Sequence, residues 1–183
     1  MKKALLLTLV LMLAASMAFA QGGSIGVFSD AAGSSCNLAD TAPGLLSFFV
    51  VHVLTPGATA SQFAAPMPAC MVGATYLSDT AMFPVTIGSS QNGVAIGYGA
   101  CLAAPIHCLT INFFGGGATT ACCYYSVIPD PNLASGLIEV VDCAENLIFA
   151  TGGVGIINPD GTCQCDVPTQ DTTWGKVKSI FAE

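Results

Sequence analysis

Short apolar runs alternate with turn-forming residues along most of the chain. The runs are rich in Val, Ile, Leu, Phe and Tyr, and clusters of Gly, Pro, Ser, Thr and Ala separate them. This pattern is typical of short strands joined by frequent turns, so we expect an all-β domain, a single two-sheet antiparallel β-sandwich. The predicted strands are 24–29, 45–54, 74–77, 85–87, 94–100, 107–114, 122–128, 137–141, 147–150, 155–157 and 162–165.

Two segments depart from simple alternation. The run 45–54 is apolar on both faces apart from Ser47 and His52, which predicts a central strand covered on both sides. Residues 59–65 fit one short helical turn, which Pro66 and Pro68 would stop.

A run of three glycines, residues 115–117, predicts a tight turn between two of the strands. If the turn is centred between the first two glycines, Cys108 lies opposite Cys123 in a hairpin. A bulge would shift the register by one residue and offer Cys122 instead.

Residues 158–161 predict a second turn. Their sequence, Asn-Pro-Asp-Gly, is a strong type I signature. Centring the turn places Ile156 opposite Cys163 and Val154 opposite Cys165. Because residues two apart share a face of a strand, both cysteines are expected to point inward.

The first twenty residues have the pattern of a secretory signal peptide. Two lysines precede an apolar stretch at 4–17, and the small residues Ala18 and Ala20 predict cleavage before Gln21. The alternative, an uncleaved membrane anchor, normally needs a longer apolar span. We therefore expect export by the general secretory route, to the periplasm or the cell exterior, with residues 21–167 as the β-sandwich domain.

Residues 168–183 differ from the body of the chain. A polar connector is followed by Trp174, Val177, Ile180 and Phe181 at helical spacing, which predicts a short amphipathic C-terminal helix. Two roles stay open for it. The apolar stripe could dock onto the sandwich, or the segment could serve as a terminal sorting or attachment element.

The distribution of charge excludes some partners. Without the leader, the basic residues are Lys176 and Lys178 against eleven acidic ones, a net charge of −9. A nucleic-acid-binding protein needs a basic footprint to neutralise phosphates, so we exclude that class. No apolar run after the leader is long enough to span a bilayer. Stability must come from apolar burial and crosslinks, since the body has no basic residue for ion pairs.

All nine cysteines follow the leader. In an oxidising compartment they are expected to form disulfides, and an odd number allows at most four bridges and leaves one thiol over. Each bridge would contribute about 2–4 kcal/mol, mostly by restricting the unfolded chain. The positions are Cys36, Cys70, Cys101, Cys108, Cys122, Cys123, Cys143, Cys163 and Cys165.

The two registers suggest how the cysteines pair. Cys122 and Cys123 should serve different partners, because neighbours in a strand point to opposite faces. The leftover thiol could link two chains into a disulfide-linked dimer. The expected pairs are Cys108–Cys123, Cys143 with Cys163 or Cys165, and Cys36–Cys70, with Cys101 competing for Cys122.

Metal binding is the rival interpretation of some of these residues. Structural zinc sites use paired Cys-x2–4-Cys knuckles, and no such pair is present in the sequence. For calcium, Asp142 and Glu145 are the closest acidic pair, and Asp130 or Asp160 would complete an oxygen site if the loops converge. Paired carboxylates would equally be required by a secreted glycoside hydrolase.

Other catalytic signals are weak. His52 and His107 lie in apolar runs and are expected to be hydrogen-bonded core residues, with His107 on the same face as Leu109 and Ile111. The sequence has no Gly-x-Ser-x-Gly elbow. A sugar-binding face could be lined by Tyr76, Tyr98, Tyr124 and Tyr125.

Three phrases resemble a group of uncharacterised exported bacterial proteins. They are Ile-Gly-Val-Phe-Ser-Asp from residue 25, Val-Ala-Ile-Gly-Tyr-Gly from residue 94 and Thr-Trp-Gly-Lys-Val-Lys-Ser-Ile-Phe from residue 173. The resemblance implies a bacterial exported protein with a cysteine-bearing, β-rich body and a Thr-Trp-Gly-x-x-Lys-like tail. It transfers no active site.

We therefore predict an exported, non-catalytic structural or binding module of the bacterial envelope or exterior, without a cofactor. The alternative is a carbohydrate- or calcium-dependent ligand-binding domain, and a secreted hydrolase comes third. The partner expected of such a module is an extracellular glycan or protein.

Overall fold

The computed structural model describes residues 22–167, and this part of the chain is all-β, as predicted. It contains twelve strands and no helix. Residues 1–21, with the predicted leader, and residues 168–183, with the predicted helix, lie outside the described residues. The strands are β1 (Ser24–Phe28), β2 (Asn37–Leu38), β3 (Pro43–Val53), β4 (Ala58–Phe63), β5 (Thr75–Ala81), β6 (Val85–Ser89), β7 (Gly93–Leu102), β8 (Ile106–Gly116), β9 (Cys123–Ser126), β10 (Ile138–Asp142), β11 (Leu147–Gly152) and β12 (Val154–Ile157).

Nine of the strands form one long sheet that folds over on itself, in the order β5-β8-β3-β1-β11-β10-β4-β7-β6. We call β5-β8-β3-β1 the first sheet and β11-β10-β4-β7-β6 the second sheet. A short parallel pairing of β1 with β11 joins them. Tyr98 of β7 reaches His52 of β3 and Cys108 of β8, so the two sheets face each other. The predicted two-sheet sandwich is therefore confirmed.

The remaining strands form a small sheet in the order β2-β12-β9. Here β12 pairs parallel with β2 and antiparallel with β9. Apart from the β2–β12 and β1–β11 pairs, every strand pairing among the described residues is antiparallel. Within residues 22–167 no helix is long and apolar enough to cross a membrane.

The core lies between the two sheets and is built from alternate residues of each strand. On β7 the buried side chains are Val94, Ile96 and Tyr98. Phe48 packs edge-on against Tyr125, with ring centroids 6.0 Å apart. Each fully buried side chain of this size contributes about 1.5–3 kcal/mol to the free energy of unfolding. This burial stabilises a domain that has no lysine or arginine to form ion pairs.

The long strand β3 lies between β8 and β1, so its predicted central place is confirmed. Its cover is uneven, however. Residues 50–53 are buried on both faces, whereas Leu45 is 78% exposed. The outer side of the buried half is covered by a second apolar cluster that includes Phe28, Cys36 and Val167.

The predicted helical turn at 59–65 is wrong, because most of this segment is strand β4. It alternates, with Ser61 and Phe63 turned into the core and Ala60 and Gln62 turned outward. The strands β10 and β7 pair with it on either side and supply the backbone hydrogen bonds that a lone helical turn would lack.

The predicted hairpin at 115–117 is also wrong. Strand β8 pairs with β3 and β5, and β9 pairs with β12, so Cys108 does not face Cys123. The buried carboxylate of Asp40 holds the exit of the chain, since the Gly117 N–H donates to it at 2.9 Å and the Thr119 hydroxyl at 2.6 Å. The glycines thus lead the chain out of the first sheet.

The second predicted hairpin fails because no strand forms at 162–165. Ile156 lies opposite Tyr124 of β9 instead of Cys163. The Asp160 carboxylate accepts hydrogen bonds from the Thr162 N–H and hydroxyl, both at 2.7 Å, and folds the segment into a local turn. Cys163 is consequently buried, while Cys165 is only half-buried.

Four disulfides and one free cysteine account for all nine cysteines, so the predicted crosslinking of the sandwich is confirmed. The expected pairings are wrong. Cys108–Cys123 rested on a hairpin that does not form, and Cys36, Cys143 and Cys101 each bond to a cysteine other than the expected one. Cys108 stays reduced and buried. The observed bridges are Cys36–Cys165, Cys70–Cys123, Cys101–Cys143 and Cys122–Cys163.

Candidate functional site

The outer face of the second sheet carries an unexpectedly apolar surface. A sheet face turned to water normally presents polar side chains. Here the outward positions of five adjacent strands form a shallow groove of about 180 Å³, which we call the outer trough. Its residues are Val85, Ile87, Ala95, Gly97, Ala60, Gln62, Glu139, Val141 and Leu147, with Phe149 next to Glu139.

Strand register arranges these residues in two rows across the sheet. In the first row Val85 pairs with Gly97, Gly97 with Ala60, Ala60 with Val141, and Val141 with Leu147. No side chain in this row is polar. The residues in the middle of the row have small side chains, and those at its ends have large ones.

The second row runs parallel to the first and carries the polar groups of the trough. Ile87 pairs with Ala95, Ala95 with Gln62, Gln62 with Glu139, and Glu139 with Phe149. Ile87 is 71% exposed, so the wall that it forms is open to a partner.

The small residues of β7 and β4 make the floor of the trough, and the large residues of β6, β10 and β11 make its walls. The walls stand three strand spacings apart from β6 to β10, about 14 Å at the usual spacing. A Cβ built on Gly97 would lie 3.4 Å from the Val85 side chain, an ordinary contact distance. A methyl group therefore fits at this position, whereas a longer side chain would fill the floor.

The electrostatics of the trough are one-sided. Glu139 is its one acidic residue, and the chain has no lysine or arginine between residues 4 and 175. The Gln62 amide donates to the Asp130 carboxylate at 2.8 Å, which fixes its orientation on the floor. Burial raises the pKa of Asp130, but the hydrogen bonds from Gln62 and Asn132 outweigh this and lower it, so the carboxylate stays ionised.

The structure separates the carboxylates that the sequence suggested for calcium. Asp142 and Glu145 share the β10–β11 turn, where Asp142 accepts hydrogen bonds from the backbone N–H groups of residues 144 and 146 at 2.8 Å. Asp130 lies against Gln62, and Asp160 organises the turn before Cys163. Each carboxylate thus has local partners of its own, and the structure does not bring the four together.

One compact group of possible metal ligands occurs within residues 22–167. It consists of Cys122, Asp160 and Cys163. Because the two sulfurs are joined in a disulfide, neither is a thiolate ligand in the oxidised protein. Of the four carboxylates suggested for calcium, this group within residues 22–167 contains Asp160 but not Asp130, Asp142 or Glu145.

His52 lies in the interior at the centre of a polar cluster. Its Nε2 is 2.6 Å from the Gly22 carbonyl oxygen, so it carries the proton and donates. Its Nδ1 is 3.5 Å from the Tyr98 hydroxyl, which donates to Ser61 Oγ at 2.7 Å. Burial lowers the pKa of His52, and the ring is therefore neutral at pH 7.

Cys108 completes this cluster at a β-bulge. The register of β3 with β8 runs from Leu109 to His107 and passes over Cys108, whose side chain turns inward. Burial raises the pKa of the thiol to about 11. A neutral thiol without exposed surface is no nucleophile, nor can it reach a second chain, so the suggested disulfide-linked dimer through the odd cysteine has no support in the folded state.

The bulge also corrects the expected position of His107. This side chain lies on the outer face of the first sheet, 5.3 Å from the Phe49 ring and away from the buried Leu109 and Ile111. Its Nε2 is 3.0 Å from the Thr110 hydroxyl. It is thus a hydrogen-bonded surface residue of the sheet and not a core residue.

The tyrosines do not share one face. Tyr124 is 57% exposed, whereas Tyr125 and Tyr98 are buried and Tyr76 is half-buried over Phe113. A flat sugar-binding platform of several rings is therefore not formed by these residues.

Comparison with known proteins gives similarity at the level of structure only. The sequence matches no protein-family model and no curated protein. Among solved structures, a cohesin from Acetivibrio cellulolyticus scaffoldin B, solved in complex with a Cel5 dockerin mutant, is 14% identical with a TM-score of 0.46, covering 76% of this chain and 99% of that one.

Two further cohesins are similar to this chain. The non-cellulosomal cohesin from the archaeon Archaeoglobus fulgidus is 11% identical over 73% of this chain and 89% of that one, with a TM-score of 0.41. A ScaB type I cohesin from Pseudobacteroides cellulosolvens is 11% identical over 81% and 97%, with a TM-score of 0.40. No residue role is carried over from any of these structures.

The outer trough itself was not predicted from the sequence. A signal for it exists, since the outward positions of β7 and β6 are as apolar as the inward ones: Ala95 and Gly97 on β7, Val85 and Ile87 on β6. Only the strand order shows that these positions adjoin one another, and that order is not evident from the sequence.

Proposed function

We propose that this chain is an exported, non-catalytic binding module whose outer trough receives an apolar segment of a partner protein. The observation that supports this is the composition of the trough, on a sheet face that would otherwise be polar: its walls are large and apolar apart from Glu139, and its floor is Ala and Gly apart from Gln62. Contiguous exposed apolar surface of this kind typically marks a protein-interaction site.

Charge indicates the chemistry of the partner. Glu139 lies among apolar side chains, and the described chain offers it no basic residue. A partner segment that covers the trough must therefore bring a lysine or arginine to Glu139, because a buried carboxylate without a counter-charge is costly. A second copy placed symmetrically over the trough would oppose Glu139 with another carboxylate, which disfavours self-association through this face.

Selection from a random peptide library displayed on phage tests the proposal. The bait is the unaltered protein from residue 21 onward, and the Gly97→Leu variant, which fills the floor, is used only afterwards, to compare the affinity of the enriched peptides. We expect enriched peptides that combine apolar residues with a lysine or arginine. Their affinity should fall at least tenfold with Gly97→Leu and with Glu139→Lys, as measured by fluorescence anisotropy.

The matched control is Leu45→Glu, which alters an exposed apolar residue of the first sheet, away from the trough. It should leave peptide affinity unchanged. The proposal is wrong if no peptide is enriched, or if the enriched peptides bind Gly97→Leu as tightly as the unaltered protein.

A further inference from the structure

A second apolar cavity, which shares no lining residue with the outer trough, lies where the small sheet meets β1. Its volume is about 260 Å³. We call it the end cavity. Apolar side chains of Phe28, Tyr124, Val154 and Ile156 line it, and Tyr124 is largely exposed at its rim.

The end cavity adjoins the point where the described chain ends. Cys165 and Asp166 belong to its lining, and the disulfide to Cys36 fixes this part of the chain beside it. The chain then passes through Val167, which packs on the neighbouring apolar cluster. Trp174 lies seven residues beyond Val167, a reach of at most about 24 Å, so the following segment can extend back to the cavity.

The segment that follows matches the cavity in chemistry. Residues 174–181 contain the chain's one tryptophan and an apolar stripe at helical spacing. They also contain Lys176 and Lys178, the only basic residues outside the leader. Asp166 is the one carboxylate that lines the cavity. A segment that offers an indole and two ammonium groups thus finds apolar walls and an opposite charge.

We propose that residues 174–181 dock in the end cavity of their own chain, with Trp174 against Tyr124 and Val154. This docking is independent of the outer trough and does not rest on the proposed function. It gives the C-terminal segment a place on the domain, so that a partner or a sorting receptor has to displace it.

The fluorescence of Trp174 tests the docking directly, because no other tryptophan contributes. The sample is the chain from residue 21 to residue 183, and a synthetic peptide of residues 168–183 gives the emission of the exposed indole. We expect the chain to emit at shorter wavelength than the peptide and to be quenched several-fold less by acrylamide. Dilution should not change either quantity, since docking is within one chain.

Two variants locate the docking site. Tyr124→Ser and Val154→Glu should each return the emission to that of the free peptide, while Leu45→Glu and Gly97→Leu should not. Circular dichroism and an intact mass showing four disulfides check that each variant is folded. Peptide-like emission from the unaltered chain overturns the proposal. So does a shift that depends on concentration, or one that Gly97→Leu abolishes and Tyr124→Ser does not.

Discussion

The buried, neutral His52 predicts that the protein loses stability in mild acid. In the folded state the ring donates to the Gly22 carbonyl and is shut off from water, which lowers its pKa below the usual 6.5. Tyr98 and Cys108 face it, and burial raises the pKa of both, so neither supplies a negative charge to an imidazolium. The unfolded chain, by contrast, takes up the proton freely.

The sign and size of the effect follow from proton linkage. Well above pH 6.5 neither state is protonated at His52, and the free energy of unfolding then does not depend on the pH through this residue. Between pH 6.5 and the lowered folded pKa, the unfolded state binds one more proton, so the free energy of unfolding falls as the pH falls. One proton gives a slope of at most about 1.4 kcal/mol per pH unit.

Guanidinium denaturation followed by circular dichroism, at half-unit steps from pH 7.5 to pH 5, measures this slope. The comparison is His52→Gln, whose amide N–H can still donate to Gly22 but does not titrate. We expect the free energy of unfolding of His52→Gln to depend less steeply on pH than that of the unaltered protein, by up to about 1.4 kcal/mol per pH unit. His107→Gln, at a half-buried site, should change this pH dependence less. Identical slopes for His52→Gln and the unaltered protein would refute the explanation.

Two further predictions concern crosslinks and backbone. Replacing Cys101 and Cys143 together by serine opens a loop with a sequence separation of 42 residues, and the free energy of unfolding should fall by up to about 4 kcal/mol in guanidinium titrations. Unchanged stability would show that this exposed bridge does not restrict the unfolded chain. Gly93→Ala should cost more than about 1 kcal/mol, because Gly93 has φ +114° and a Cβ there would overlap the Asp130 carboxylate. A thermal melt equal to that of the unaltered protein would contradict this.

The strands were predictable where alternation is strong and local. On β7 the inward Val94, Ile96 and Tyr98 alternate with small residues, and the strand lies where the pattern puts it. Strand β4 was missed because its Ala, Ser and Thr carry little periodic signal. Its two neighbours in the second sheet decide its conformation, and a sequence window does not contain them.

Pairing was less predictable than the strands themselves. The glycines at 115–117 fit a hairpin, but the Gly117 N–H donates to the carboxylate of Asp40, 77 residues earlier, and the chain leaves the first sheet there. The outer trough was not predicted for the same reason. Val85 and Leu147 lie at opposite ends of one row of the trough, and this is evident only when four strand pairings are known. Local patterns report conformation, whereas partner choice depends on contacts distant in sequence.

The connectivity of the four disulfides has a consequence for biogenesis. If the chain is exported as proposed, its cysteines emerge in the order of the sequence, and none of the native bridges joins a cysteine to the next one along the chain. Oxidation in order of emergence would therefore give only wrong partners, and Cys36 has to wait for Cys165, 129 residues later. Cysteines that oxidise in order of emergence would therefore need thiol–disulfide exchange to reach the native pairs.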